Sequence, residues 1–110
     1  MCFRPPTMTR KIEPLLVVEK LVAVADSPKQ FKLDVKNSGA AVGNLKDKVF
    51  VRESTAYSEV AVSVVWSKTV IAPNEVSSGV VNFDWTSGKT YYVKAVLNEG
   101  ASANLYTKAP

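Results

Sequence analysis

The chain has 110 residues, of which 46% are hydrophobic and 22% charged, and its formal net charge is +4. A chain of this length makes one domain with a core of modest depth. It contains no histidine and a single cysteine, which excludes serine–histidine and cysteine–histidine catalytic pairs, an intrachain disulfide and most zinc sites. The eighteen valines favour strands, because a branched Cβ suits a pleated sheet better than a helix.

The surplus of positive charge lies at the N-terminus. Arg4, Arg10 and Lys11 precede the first acidic residue, and two adjacent prolines keep this stretch extended. We therefore predict a basic extended arm over residues 1–13 and a single β-sandwich domain over residues 14–110. The arm is either a solvated tail or an anchor for an anionic surface.

Neither a membrane span nor an export signal is predicted. No apolar run reaches the roughly 18 residues that a spanning helix needs. Residues 14–25 are apolar enough for the centre of a signal peptide, but Glu19 and Lys20 interrupt them. The lone Cys2 is expected to be an exposed thiol, with lipid modification or an intermolecular disulfide as alternatives.

The first predicted strand is PLLVVEKLVAV, residues 14–24, which is apolar on both faces except at Glu19 and Lys20. A strand of this kind is expected to be central in its sheet or covered on both sides. Residues 25–28, with Asp26, Ser27 and a proline, are typical of a turn.

Alternation of apolar and polar residues predicts the remaining strands. In residues 30–37, Phe31, Leu33 and Val35 share one face, so this strand has one buried and one solvated side. The C-terminal hairpin is equally regular, because Tyr91, Val93, Ala95 and Leu97 alternate before a turn at Asn98-Glu99-Gly100. Further strands are predicted over residues 46–54, 57–66, 68–72, 76–85 and 101–107, with residues 40–44 as a loop.

Seven or eight strands with no helical periodicity predict an all-β fold. We predict an immunoglobulin-like Greek-key β-sandwich of antiparallel strands, with a small β-barrel as the alternative. Its core is expected to form around Trp66, Phe83 and Trp85, since large aromatic side chains dominate the burial of apolar surface.

No catalytic, cofactor-binding or metal-binding residue is predicted. The five glycines occur singly, so no phosphate-binding loop is present. The acidic residues lack the spacing of a calcium-binding loop, and those on strands, such as Asp34 and Glu59, lie on predicted solvent faces. We therefore expect a protein that is not an enzyme and that uses no cofactor.

Basic residues define one candidate binding surface. The candidates lie in the arm and on predicted solvated strand faces: Arg4, Arg10, Lys11, Lys32, Lys36, Lys46, Lys48 and Arg52. With Tyr57 and Tyr92 nearby, they could bind an anionic partner, either nucleic acid or an acidic surface. Nucleic acid is not favoured, because lysines on strand faces and edges commonly serve solubility and prevent aggregation.

Three stretches occur in the order seen in archaeal cell-surface β-sandwich domains: FKLDVKNSG (31–39), IAPNE (71–75) and GKTYYVKAVLNEG (88–100). The last resembles the closing hairpin in the globular domains of archaeal pilins and archaellins. TVIAPNEVSSGVVNFDW (69–85) resembles adhesion modules built on an immunoglobulin-like sandwich. The resemblance covers residues 15–107 and implies an extracellular structural or adhesive role without catalysis.

The leading hypothesis is therefore a structural or adhesive protein of the cell surface, either a subunit or accessory of a pilus-like extracellular filament or part of the envelope. It would bind other protein subunits, including copies of itself, because a strand that is apolar on both faces can complete a neighbour's sheet. The predicted self-association strand contributes Leu15, Leu16, Val17, Val18 and Leu21. The alternatives are a binding module for an anionic partner and a viral structural protein.

Overall fold

The computed structural model describes residues 12–25 and 28–110. Over these residues the chain forms nine strands and no helix: β1 (Leu16–Val24), β2 (Gln30–Asn37), β3 (Gly43–Asn44), β4 (Lys48–Glu53), β5 (Val60–Trp66), β6 (Val70–Ile71), β7 (Val76–Asn82), β8 (Thr90–Val96) and β9 (Ser102–Lys108). The all-β prediction is confirmed. The basic arm up to residue 11 and the middle of the turn predicted at 25–28 lie outside the described residues.

Seven strands form one antiparallel sheet in the order β1-β2-β7-β5-β4-β8-β9. β5 joins its two halves, because residues 60–63 pair with β4 and residues 64–66 pair with β7. The sheet thus bends into two layers, β1-β2-β7 and β4-β8-β9, whose inner faces share one core. The two end strands, β1 and β9, lie beside each other, so the sheet is nearly closed, as in the alternative small barrel.

The inner faces of β2 and β8 carry the residues that alternation predicts. The buried residues are Phe31, Leu33 and Val35 from β2, and Tyr91, Val93, Ala95 and Leu97 from β8 and its end. Burial of each large apolar side chain contributes about 1.5–3 kcal/mol relative to exposure. These two strands therefore supply much of the contact between the layers.

The position of Trp66 explains why β7 has a glycine in its middle. Gly79 is the register partner of Trp66 across the β5–β7 ladder, and a Cβ at Gly79 would lie 2.6 Å from the indole ring. The indole Nε1 donates a hydrogen bond of 2.8 Å to the carbonyl oxygen of Lys46, which fixes the ring in that position. The absence of a side chain at Gly79 thus makes room for a predicted core residue.

The prediction that β1 is central or covered on both sides is wrong. β1 pairs with β2 alone in the sheet, and its register shifts between Val18 and Lys20 at a β-bulge. Before the bulge Leu16 and Val18 point into the core, whereas Leu21 does so after it. The extra residue of a bulge switches the face to which the following side chains point. A strand with only one buried face can therefore carry a continuous apolar run, which is the pattern of a strand covered on both faces.

Residues 40–44, predicted as a loop, contain β3, which forms a two-residue ladder with β6. The ladder is too short for alternation to reveal it. The side chain of Asn37 holds this region together, since its Nδ2 donates to the carbonyl oxygens of Ala41 (2.7 Å) and Ile71 (2.9 Å). Its Oδ1 accepts hydrogen bonds from the backbone N–H groups of Gly39 (2.9 Å) and Leu15 (3.4 Å). Asn37 therefore also positions the residue that precedes β1.

Candidate interaction surfaces

The edge of β1 that does not pair with β2 is the first candidate surface. One side of β1 is paired with β2, and the other faces β9, which is paired only with β8. Within residues 12–25 and 28–110, no ladder of hydrogen bonds joins β1 to β9; we call this junction the seam. Backbone groups at unpaired strand edges are available to another strand, so the seam is where the sheet could accept one.

The structure divides the five residues of the predicted self-association strand. Leu16, Val18 and Leu21 are buried in the core and stabilise the domain itself. Leu15 and Val17 are 47% and 44% exposed, so these two side chains can contact another molecule. Self-association through this strand stays a prediction.

A cleft of about 380 Å³ opens at one end of the seam. It is lined by Glu13, Pro14, Leu15, Glu99, Gly100 and Ala101. The carboxylate of Glu99 accepts hydrogen bonds from the side-chain amide of Asn44 (2.7 Å) and its backbone N–H (2.9 Å), and these bonds lower the pKa of Glu99. The β8–β9 hairpin is therefore fixed to β3, which gives the cleft one rigid wall.

The predicted basic patch is split between two faces. Lys32 and Lys36 project from the outer side of β2, whereas Lys48 and Arg52 project from the outer side of β4, since the residues between them point into the shared core. β7 and β5 separate β2 from β4 in the sheet, so the two pairs face away from each other. Lys46 is exposed in the segment before β4, and Arg4, Arg10 and Lys11 lie outside the described residues.

The outer side of β4, β8 and β9 carries aromatic and basic residues in register; we call it the aromatic face. One row across the strands is Arg52, Tyr92 and Tyr106, and the next row is Phe50, Lys94 and Asn104. The predicted basic patch already grouped Arg52 with Tyr57 and Tyr92, but Tyr106 was missed as a neighbour. The alternation of β9 indicates that Tyr106 points outward. That Tyr106 lies next to Tyr92 and Arg52 depends on the order of the strands, which alternation does not reveal.

The outer side of the other layer holds a shallow groove of about 280 Å³ beside the bulge of β1. Val22 and Val80 line it together with Lys20 and Lys32. Its polar centre is already satisfied, because the Ser78 hydroxyl donates a 2.7 Å hydrogen bond to the Asp34 carboxylate. The rest of the groove consists mainly of the two valine side chains and the two lysines.

In the stretches that the structure describes, no three histidine, cysteine, aspartate or glutamate side chains come together as a metal site. The same stretches contain no helix long and apolar enough to cross a membrane.

No protein family and no curated protein matches this chain in sequence. In three dimensions the chain has the all-β fold of archaellum stator domains. It is similar to the archaellum periplasmic stator protein FlaG from Sulfolobus acidocaldarius, with a TM-score of 0.70 and 12% identity over 86% of this chain and 100% of that one. A chain in the complex of the stator proteins FlaF and FlaG from the same organism matches with a TM-score of 0.69 and 12% identity, over 97% and 100% of the respective chains.

Proposed function

We propose that this chain is a non-enzymatic structural subunit of an archaeal cell envelope, an accessory of an extracellular filament that acts by binding other protein subunits. The observation that carries the proposal is the similarity to the solved chain of an archaellum stator protein over the whole of that chain, at a TM-score of 0.70. The sequence supports it, because a chain without histidine and with one cysteine has few means of acid–base or nucleophilic catalysis. Adhesive, pilin-like and immunoglobulin-like character remain predictions.

The seam is the proposed route of contact with other subunits, including copies of this chain. β1 and β9 present unpaired edges there, and Leu15 and Val17 add exposed apolar side chains. One of the similar structures is a complex of two stator proteins, which supports protein subunits as the partners. Because β1 and β9 lie beside each other, a partner strand would pair with one of these edges after the two strands separate.

Light scattering after size-exclusion chromatography, with electron microscopy of negatively stained samples, tests self-association of the full chain. We expect oligomers or filaments whose population grows with concentration. Val17→Lys should shift the population toward monomer, because a charged side chain on an edge strand opposes pairing with another chain.

Val65→Lys is the matched control, since Val65 is 74% exposed on the outer side of β5, an interior strand of the same sheet. It should assemble like the unmodified chain. A monomer at every concentration, or equal effects of the two variants, would exclude self-association through β1.

Immunogold labelling of cells that produce the protein tests the wider role. Gold at the cell envelope or on filaments is expected. Gold confined to the cytoplasm would overturn the proposed function, whatever the oligomeric state of the purified chain.

A further inference from the structure

The aromatic face is built around a fixed guanidinium group. The Cζ atom of Arg52 lies 5.0 Å from the centre of the Tyr92 ring, within the range of a cation–π contact. Its Nη1 donates a 3.0 Å hydrogen bond to the carbonyl oxygen of Ala56. Ring and carbonyl together hold the planar group in place, so little side-chain entropy remains to be lost when a ligand binds.

Part of the hydrogen-bonding capacity of Arg52 is unused. A guanidinium has five N–H donors, and two parallel N–H groups match the two oxygens of a carboxylate. Among the residues that the structure describes, only Nη1 of Arg52 donates, to Ala56 and at 3.4 Å to Ser54. The remaining donors on Nη2 and Nε are available for one carboxylate.

The charges around Arg52 favour an acidic ligand. The outward residues of β4, β8 and β9 include four cations and no carboxylate: Lys48, Arg52, Lys94 and Lys108. Glu59, which precedes β5, neutralises one of them at 3.3 Å from the Lys94 ammonium. In the described part of the chain, no carboxylate lies within 4.0 Å of the other three.

The rings favour a protein over a polymer that stacks on open aromatic faces. Tyr92 has Arg52 over one face and meets Tyr106 at 61° with ring centroids 5.3 Å apart, and its hydroxyl accepts a 3.0 Å hydrogen bond from Asn104. Among the described residues of the aromatic face, only Tyr106 has a largely exposed ring, at 56%, whereas single-stranded nucleic acid requires a series of ring faces for successive bases. Tyrosine and arginine are instead enriched among the residues that contribute most of the binding energy in protein interfaces.

We propose that the aromatic face binds an acidic segment of a protein partner. A carboxylate of the partner pairs with Arg52, and the partner's side chains next to that carboxylate pack on Tyr106. The inference deepens the proposed function, on which it rests for the expectation that the partner is another surface protein. It concerns a different surface from the seam, so the two can fail separately.

Titration of the ¹⁵N-labelled full chain, followed by amide chemical shifts, tests the inference with a blocked tetraglutamate peptide as the probe. Shifts confined to residues of the aromatic face are expected, with a dissociation constant that rises as salt screens the charges. Arg52→Gln should weaken binding roughly tenfold or more, the loss expected for a hydrogen-bonded charge pair. Arg52→Lys should also weaken it, because an ammonium keeps the charge and loses the planar fork.

Lys32→Gln is the matched control, since it removes the same charge from the outer side of β2, and it should leave the affinity unchanged. Tyr106→Ala leaves Arg52 and its hydrogen bonds to Ser54 and Ala56 unchanged. This variant should also weaken binding. Absence of shifts at millimolar peptide, shifts centred on β1 and β2, or equal losses for Arg52→Gln and Lys32→Gln would overturn the proposal. Tighter binding of trigalacturonate or of an oligothymidylate than of the peptide would overturn it as well, by showing that the face selects a glycan or a nucleic acid.

Discussion

Tyr91 and Tyr92 are neighbours in sequence but belong to two different aromatic groups. Tyr91 points inward and meets Phe31 and Phe83, with all three ring centroids 5.6 Å apart. Tyr92 points outward and meets Tyr106, with ring centroids 5.3 Å apart. The inner group joins the two layers through the core, whereas the outer group lies on one layer only and is open to solvent on one side.

The comparison shows that similar ring geometry does not imply a similar contribution to stability. Phe31 is fully buried and Phe83 is partly buried, whereas Tyr106 is 56% exposed, so the inner group gains more of the free energy of removing apolar surface from water than the outer group does. The outer group keeps that free energy available for a partner. We therefore expect the inner rings to determine folding and the outer rings to determine binding.

Phe31→Ala should show the largest difference between the groups. Removal of a fully buried aromatic side chain that contacts both layers should lower the free energy of unfolding by about 3–5 kcal/mol. Chemical denaturation followed by tryptophan fluorescence measures this loss, since Trp66 and Trp85 are both buried.

Tyr106→Ala is the counterpart from the outer group and should cost less than about 1 kcal/mol, because the ring is largely exposed already. Equal losses for the two variants would mean that the outer group also stabilises the fold. The division between folding and binding would then be wrong.

The hydroxyl groups of the adjacent tyrosines permit a finer comparison. The Tyr91 hydroxyl accepts a 2.7 Å hydrogen bond from the backbone N–H of Thr86, so Tyr91→Phe leaves a partly buried donor without its acceptor and should cost about 1 kcal/mol. The Tyr92 hydroxyl is bonded to the exposed side chain of Asn104, which water can replace. Tyr92→Phe should therefore change the free energy of unfolding by less than about 0.5 kcal/mol.

Thermal melts of the two phenylalanine variants measure this difference, because each substitution removes a single oxygen atom. A melting temperature lower for Tyr92→Phe than for Tyr91→Phe would contradict the assignment of inner and outer hydroxyls.

Local sequence signals were enough to predict which side of most strands is buried. A two-residue period requires no knowledge of neighbouring strands, and the inward residues of β2 and β8 follow it without interruption. β1 is the exception for a physical reason, because the bulge between Val18 and Lys20 exchanges its faces within an apolar run. Nothing in that run distinguishes a bulge from a strand that is covered on both sides.

The candidate surfaces were less predictable, because they depend on contacts between residues far apart in sequence. Arg52, Tyr92 and Tyr106 become neighbours only through the ladders of β8 with β4 and with β9. The seam likewise exists because β1 and β9, the first and last strands, lie side by side. The split of the predicted basic patch has the same origin. Alternation predicts that the basic residues of β2 and β4 point to solvent, but it does not show that these two strands lie in opposite layers.

The smallest predicted effect concerns the ion pair beside the inner group. The hydrogen bond from the Lys89 ammonium, 3.0 Å from the Glu53 carboxylate, lowers the pKa of Glu53 below its usual value of 4.5, and a hydrogen bond from the Thr55 hydroxyl lowers it further. A carboxylate with a depressed pKa in the folded state contributes stability above its unfolded pKa and loses it as the pH falls through the folded value. The contribution of Glu53 should therefore be complete near neutral pH and disappear in acid below 4.5.

Glu53→Gln tests this contribution, because it removes the titrating group and leaves the shape of the side chain. Its melting temperature should lie slightly below that of the unmodified chain near neutral pH, and the difference should vanish in acid. High salt should also reduce the difference, since the pair is exposed and open to screening. Glu19→Gln, in the exposed bulge of β1, is the control for the loss of a surface carboxylate and should leave the melting temperature near neutral pH unchanged. Glu53 is the register partner of Tyr91 in the β4–β8 ladder, so the ion pair lies beside the inner group. A difference in melting temperature that grew in acid would mean that the neutral carboxyl group of Glu53, and not its ion pair with Lys89, stabilises the fold there.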